Sequence, residues 1–220
     1  MRAIVFVHTR VRPPMPFKGV GHRARTTNLA AQDDARRGPL TVLMLGSNEP
    51  AGNLTDMAGA KVTQIDLKRL EHVDIVADAE KLSATFDEAS FDVVVSTSML
   101  EHTPHPWTVF DQVRRVLKPG GLFYVSVPWI FPLHGEPDDY WRFSLPGLER
   151  LFVDNGFEIV ESGTEVSPHG ALYTFLRAYV SEALSFGSSS AYYSLEWLTS
   201  WLFWPLGLLE RALPMGRRTH

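Results

Sequence analysis

Six short apolar runs recur along the chain, each bounded by Gly, Pro, Asp or Ser: "LTVLMLG" (40–46), "KVTQIDL" (61–67), "VDIVAD" (73–78), "FDVVVSTS" (91–98), "GLFYVSVPW" (121–129) and "FEIVESG" (157–163). Their length and their richness in Val, Ile and Phe predict buried or half-buried strands. Between the fourth and fifth, Trp107, Phe110, Val113, Val116 and Leu117 return at helical spacing, and "KPGG" ends the run with breakers. Between the fifth and sixth, Ser144 is placed to cap a helix whose apolar face is Leu148, Leu151 and Phe152, with Gly156 as its stop. Strands alternating with helices predict an α/β, Rossmann-like fold: a mainly parallel sheet with helices on both faces. In such a sheet ligands bind beyond the carboxyl ends of the strands. Gly46, Asp66, Asp78, Ser96 and the loop after Pro128 are therefore site candidates by position alone.

The two ends of the chain read differently. After residue 163 the pattern is helical and aromatic, and from Trp197 to Leu209 no charged residue occurs. Pro205 interrupts that stretch, which is shorter than the roughly 20 residues needed to cross a bilayer. Three readings of 194–213 stay open: a helical cap on the sheet, a homodimer face, or a helix lying peripherally at a membrane surface. Residues 1–38 hold eight Lys/Arg against Asp33 and Asp34, although the chain as a whole carries a net charge of −4. This part is expected to be a basic arm, even though it opens with the strand-like "AIVFV". An acidic remainder argues against a nucleic-acid partner. Zero cysteines exclude disulfides, thiolate metal sites and a cysteine nucleophile, and the opening run is too short for a signal-peptide core. A cytoplasmic location is expected, possible membrane-peripheral attachment included.

The chemistry starts at Gly46, which closes the first strand where a tight turn must form. Asp66 ends the second strand twenty residues later, a spacing that suits a carboxylate receiving both hydroxyls of a ribose. At the third strand end, Asp78 and the backbone of Ala79 are placed to meet an adenine. With "FDVVVSTSMLEH", "VLKPGG" and "HGEPDDYWRFSLPGLERLF" added, residues 40 to 163 resemble the class I S-adenosylmethionine-dependent methyltransferases, in particular the methyltransferase type 11 group. The resemblance implies a seven-stranded sheet with an antiparallel last strand, S-adenosylmethionine as methyl donor and S-adenosylhomocysteine as product. It makes 39–163 the donor-binding core and 164–220 a helical extension. By the same resemblance Gly46, Ser47 and Asn48 line the methionine part of the donor, and Asp66 with Leu67 the ribose. Asp78 and Ala79 flank the adenine, and Ser96 to Met99 form the floor near the sulfonium.

Two departures from the family pattern are visible. Its first loop usually carries an acid and alternate glycines, whereas this chain has Met44, Asn48 and Pro50 at those places. Asn48 tolerates a left-handed turn, but Pro50 donates no amide. The family's last antiparallel strand has no counterpart in the pattern after Gly163, so it is either missing or rebuilt from another segment.

The acceptor is expected in the loop "PWIFPLHGEPDDYWRFS", where Trp129, Tyr140 and Arg142 would form a partly apolar wall. His134 and His102 are the candidate catalytic bases, each with a purely structural alternative. Asp138 and Asp139 are expected to cap or to pair with Arg142. No metal is expected, because Pro104 and Pro106 break the alignment of "HTPHP". The leading function is methyl transfer to a small-molecule, saccharide or lipid-linked acceptor. Its rivals are a nicotinamide enzyme, for which a GxGxxG loop is lacking, and a non-catalytic methyltransferase-like binding module.

Overall fold

In a computed structural model of the chain, residues 1–8, 39–46, 60–129, 131, 133, 138–164, 168–203 and 217–219 are described. The strands are β1 (Arg2–His8), β2 (Thr41–Leu45), β3 (Lys61–Asp66), β4 (Ile75–Val76), β5 (Phe91–Thr97), β6 (Leu117–Pro128), β7 (Glu158–Thr164) and β8 (Arg217–Thr219). The helices are α1 (Pro106–Val116), α2 (Leu145–Asp154), α3 (Pro168–Ser185) and α4 (Ser189–Leu202). All eight strands form one sheet in the order β4-β3-β2-β5-β6-β1-β7-β8. Seven run parallel, and β8 lies antiparallel against β7.

The sheet corrects the expectation that residues 1–38 form an arm throughout. Strand β1 lies between β6 and β7, with Arg2 opposite Leu122 and Glu158, and Ala3, Ile4 and Val5 are fully buried. A parallel strand buried on both faces reads as an unbroken apolar run, which is what "AIVFV" is. The basic residues that follow it drew the whole segment outward in the sequence reading. The antiparallel last strand is present, rebuilt from Arg217–Thr219 at the sheet edge, where a short polar triplet carries no strand signal. The "KPGG" breakers fall inside β6 as an irregularity: Phe91 pairs Leu117 and Val93 pairs Leu122, so the residues between bulge out of the ladder.

Alternate residues of the central strands supply two cores. Ala3, Val5, Leu43, Leu45, Val94, Phe123 and Val125 join Val109, Phe110, Val113 and Val116 of α1 and Leu148 and Phe152 of α2 in the larger cluster. Ile4, Val42, Val93, Val95, Leu122 and Tyr124 form the second. Phe110 sits at the centre of the first, with its ring edge-on to Phe152 at 4.6 Å and to Phe123 at 5.3 Å. Trp107, expected on the buried face of α1, is half exposed; Pro106 and Val109 take that place. Ser144 caps α2 by accepting from the Gly147 N–H, and Gly156 follows the helix with φ +77°, both as expected.

The sheet edge opposite the strand carboxyl ends is held by a buried carboxylate. Asp92 accepts from the Thr41 N–H at 2.9 Å, the Thr41 hydroxyl at 2.8 Å and the Lys118 ammonium at 2.9 Å. Burial pushes this carboxyl up, but the Thr41 amide, the Lys118 ammonium and the Thr41 hydroxyl outweigh it and hold the pKa at about 2. A depressed folded-state pKa contributes stability above the ordinary value of 3.8, and that stability is lost as pH falls toward about 2. Asp92→Asn is therefore expected to cost about 2 kcal/mol at neutral pH. Urea unfolding at stepped pH checks this: the slope of stability against pH between about pH 4 and about pH 2 flattens in the variant.

Candidate functional site

The carboxyl ends of β2, β3, β4, β5 and β6 lie along one edge of the sheet, and the sequence-predicted residues gather there. Gly46 ends β2 with φ +55°, and its N–H donates to the Ile65 carbonyl at 3.0 Å. A Cβ at this position would sit 2.5 Å from Met99 Cγ, so only glycine lets Met99 close against the turn. Met44, which stands where the family has an acid, packs with Leu40 and Val62 against the second core. Ser47, Asn48, Pro50 and Gly52 lie outside the described residues.

Asp66 closes β3. Its Oδ1 accepts from the Lys68 N–H at 2.9 Å and its carbonyl from the Ala77 N–H at 3.0 Å, which ties the ends of β3 and β4 together. Among the described residues its side chain makes no other hydrogen bond. Leu67 beside it is exposed. Asp78 caps the 3-10 segment Ala79–Ala84 through the Glu80 N–H at 2.9 Å and reaches Lys81 at 3.2 Å, and Ala79 packs at the margin of the larger core. Both oxygens of Asp78 thus have local partners.

At the ends of β5 and β6 the apolar pattern is broken by two serines. Ser96 and Ser126 are fully buried, and neither hydroxyl has a hydrogen-bond partner among the described residues. An unsatisfied buried hydroxyl costs roughly 1–3 kcal/mol, so their persistence in a tightly packed strand pair is a mark of a ligand site. Ser98 follows with φ +49°, a left-handed backbone in a non-glycine residue, and its N–H donates to the Ser126 carbonyl at 2.8 Å. Ser126 was not singled out from sequence, and Ser98 entered only within the stretch Ser96 to Met99. The legible signal for Ser126 is a lone hydroxyl inside "LFYVSVP".

The 3-10 turn Leu100–His102 carries the "LEH" residues, and the acceptor-loop segment 138–143 is lashed onto it. The Tyr140 and Trp141 N–H groups donate to the Glu101 carbonyl at 2.8 and 3.2 Å, and the Trp141 indole donates to the Thr103 carbonyl at 2.9 Å. His102 Nδ1 lies 2.6 Å from the Asp138 carbonyl, which only accepts, so Nδ1 carries the proton and Nε2 is the basic nitrogen. Nε2 is 3.7 Å from Oε1 of Glu101, whose side chain is fully buried. The Asp138 carbonyl fixes the orientation of the ring, and Nε2 is turned toward the Glu101 carboxylate.

Tyr140 donates to Asp138 Oδ2 at 3.1 Å, and that bond raises its phenol pKa. Arg142 pairs with both oxygens of Asp139 and donates to the Phe131 carbonyl. The hydrogen bonding to Asp139 raises the guanidinium pKa further. Arg142 thus braces the loop from within, while the half-exposed Tyr140 presents its ring outward. Trp129 follows β6 and is half exposed. His134 lies outside the described residues, and among the described residues no cluster of potential metal ligands occurs.

Comparison with known proteins agrees with this architecture. The family described as "Methyltransferase domain" matches residues 45–125, from the end of β2 into β6. A sterol 24-C-methyltransferase of Gibberella zeae is 27% identical over 147 residues, covering 56% of this chain and 38% of that protein. A ubiquinone biosynthesis O-methyltransferase of Psychrobacter arcticus is 30% identical over 109 residues, covering 42% of this chain and 40% of its own length. The chain therefore spans about two fifths of the length of these curated relatives. Among solved structures, the [4+2]-cyclase SpnF superposes with a TM-score of 0.54 at 18% identity, covering 80% of this chain and 73% of that one, which is a likeness of fold. Residues 45–125, from the end of β2 into β6, are thus a methyltransferase domain of the class I S-adenosylmethionine-dependent type, and Gly46, Asp66 and Ser96 lie within it.

Proposed function

We propose that this protein transfers a methyl group from S-adenosylmethionine to a small-molecule, saccharide or lipid-linked acceptor. The observation that carries the reading is the pair of buried, unsatisfied hydroxyls, Ser96 and Ser126, at the strand ends beside the Gly46 turn. Two hydroxyls free to bond a ligand at these strand ends support a donor site there. Gly46 and Met99 would border its methionine part, Asp66 its ribose with Leu67 alongside, Asp78 and Ala79 its adenine, and Ser96 the floor beneath. When bound there, S-adenosylmethionine supplies a methyl carbon activated by its sulfonium. The protein's own share is to align the acceptor, exclude water and take one proton where the acceptor is a hydroxyl or similar weak acid. His102 would take that proton at Nε2, with the Asp138 carbonyl holding Nδ1 behind it and Glu101 beside Nε2. Tyr140 and Trp129 offer the acceptor an aromatic wall, and Arg142 fixes the loop that carries it.

The test is to incubate the protein with labelled donor and a cell extract and identify the compound that gains one methyl group. With that acceptor, His102→Ala is expected to lower kcat by about 100-fold or more while leaving S-adenosylhomocysteine affinity unchanged. A loss smaller than about tenfold removes His102 from the chemistry. The rival reading, a binding module without catalysis, draws on Met44, which has replaced the acid with core packing. It predicts no nucleotide binding and no methyl incorporation into any compound.

A further inference from the structure

Helices α3 and α4 form an antiparallel pair whose polarity is inverted. The seam between them is polar and small: Thr174, Arg177, Ala178, Ser181 and Ser185 from α3 meet Thr199 and Ser200 from α4, all buried. Arg177 reaches Glu196 at 3.0 Å and the Ser200 hydroxyl at 3.1 Å. Ser181 and Thr199 share a hydrogen bond of 3.1 Å, and the Tyr173 hydroxyl donates to the Ser200 carbonyl at 3.3 Å. The outside is apolar: Phe175 and Tyr179 on α3, then Tyr193, Trp197, Leu198 and Trp201 on α4, with Trp197 64% exposed and Phe186 in the connecting turn 91% exposed. Among the described residues, the exposed polar positions of the two helices are Glu182, the one charge, and Ser189, Ser190 and Ser194 in the first half of α4.

A helix pair folded against water buries its apolar stripe and exposes its charges. The reverse arrangement belongs to an apolar solvent, where the hydrophobic effect no longer drives helices together and hydrogen bonds between small and polar residues hold the seam. Trp197 and Trp201 stand one turn apart, and Leu198 and Leu202 stand beside them on the adjoining face. The apolar surface therefore wraps more than one side of α4, which suits a solvent that surrounds it. Trp and Tyr are also the side chains that favour the headgroup boundary of a bilayer. No helix among the described residues is long and apolar enough to cross a membrane.

We propose that the α3–α4 pair seats in the interfacial layer of a lipid bilayer, anchoring the catalytic sheet at a membrane surface through Trp197, Trp201 and their neighbours. The anchor stands independently of which acceptor is methylated. The full chain would be mixed with dioleoylphosphatidylcholine vesicles, plain or brominated in the acyl chains, at low and high salt. Expected are co-sedimentation that persists at high salt and tryptophan quenching by the brominated lipid. Both should fall at least about tenfold in Trp197→Ser/Trp201→Ser and in Leu198→Gln/Leu202→Gln, with far-UV circular dichroism and S-adenosylhomocysteine binding unchanged. Three results would each overturn the proposal: protein that stays in the supernatant, vesicle binding that vanishes with salt and survives both double variants, or a dimer that these variants split without any vesicle binding.

Discussion

Gly46→Val is expected to abolish measurable S-adenosylhomocysteine binding and to lower the urea midpoint of unfolding. Two independent effects act at this residue. A φ of +55° is left-handed, which costs a residue bearing a Cβ about 1–2 kcal/mol and a β-branched one more. The added Cβ also meets Met99 Cγ at 2.5 Å, inside any real contact, and overpacking of this kind costs about 1–3 kcal/mol. Met99 precedes the Leu100–His102 turn, so pushing it aside moves the turn that carries His102 as well. Gly46→Val/Met99→Ala should recover the packing part of the loss and keep the backbone part. Gly46→Asn, which tolerates the left-handed region, should retain more stability than Gly46→Ala. If Gly46→Val binds the product as the parent does, the β2 turn is not part of the donor site.

Arg177→Ala is expected to destabilise the α3–α4 pair by about 3 kcal/mol. Arg177 is 5% exposed, and its guanidinium holds Glu196 and the Ser200 hydroxyl together, while the guanidinium carbon lies 5.9 Å from the Tyr173 ring centroid. Truncation leaves a carboxylate and a hydroxyl without their donor and opens space along the seam. The Glu196 side chain keeps some solvent access, which places the cost at the lower end of what breaking a buried ion pair brings. Arg177→Lys should recover only part, because one ammonium cannot reproduce the two-pronged contact. Helix content followed by circular dichroism in urea checks both variants. Loss confined to the helical pair, with product affinity intact, would also separate the pair energetically from the sheet.

The periodic strands were legible because their burial is simple. Val42, Leu43 and Leu45, or Val93 to Val95, face packed side chains on both sides, and an unbroken apolar run reports that condition directly. The same signal was present in Ala3 to Val5, but its neighbours in the sheet, β6 and β7, lie more than a hundred residues downstream, and nothing local states such a pairing. β8 pairs antiparallel with β7 as a triplet of polar residues, so "RRT" carries no apolar pattern to read. Gly46, Asp66 and Ser96 could be proposed for the site because each stands at the end of a strand, and apolar runs mark where strands end. Ser126 and the strap of Tyr140 and Trp141 across Glu101 could not, since each depends on which atoms of two distant segments come within hydrogen-bond reach. The polar seam of α3 and α4 was hidden for a related reason: the sequence showed an aromatic stretch without charge, but not which side of the helix faced its partner.

The central claim is that the edge formed by Gly46, Asp66 and Ser96 holds S-adenosylmethionine, and titration calorimetry of the full chain with S-adenosylhomocysteine tests it most directly. The account predicts saturable one-site binding to the parent protein, weakened about tenfold or more by Asp66→Ala, since hydrogen bonds to a carboxylate are worth roughly 1.5–3 kcal/mol. No heat with this nucleotide, or equal affinity in the parent and in Asp66→Ala, would contradict it.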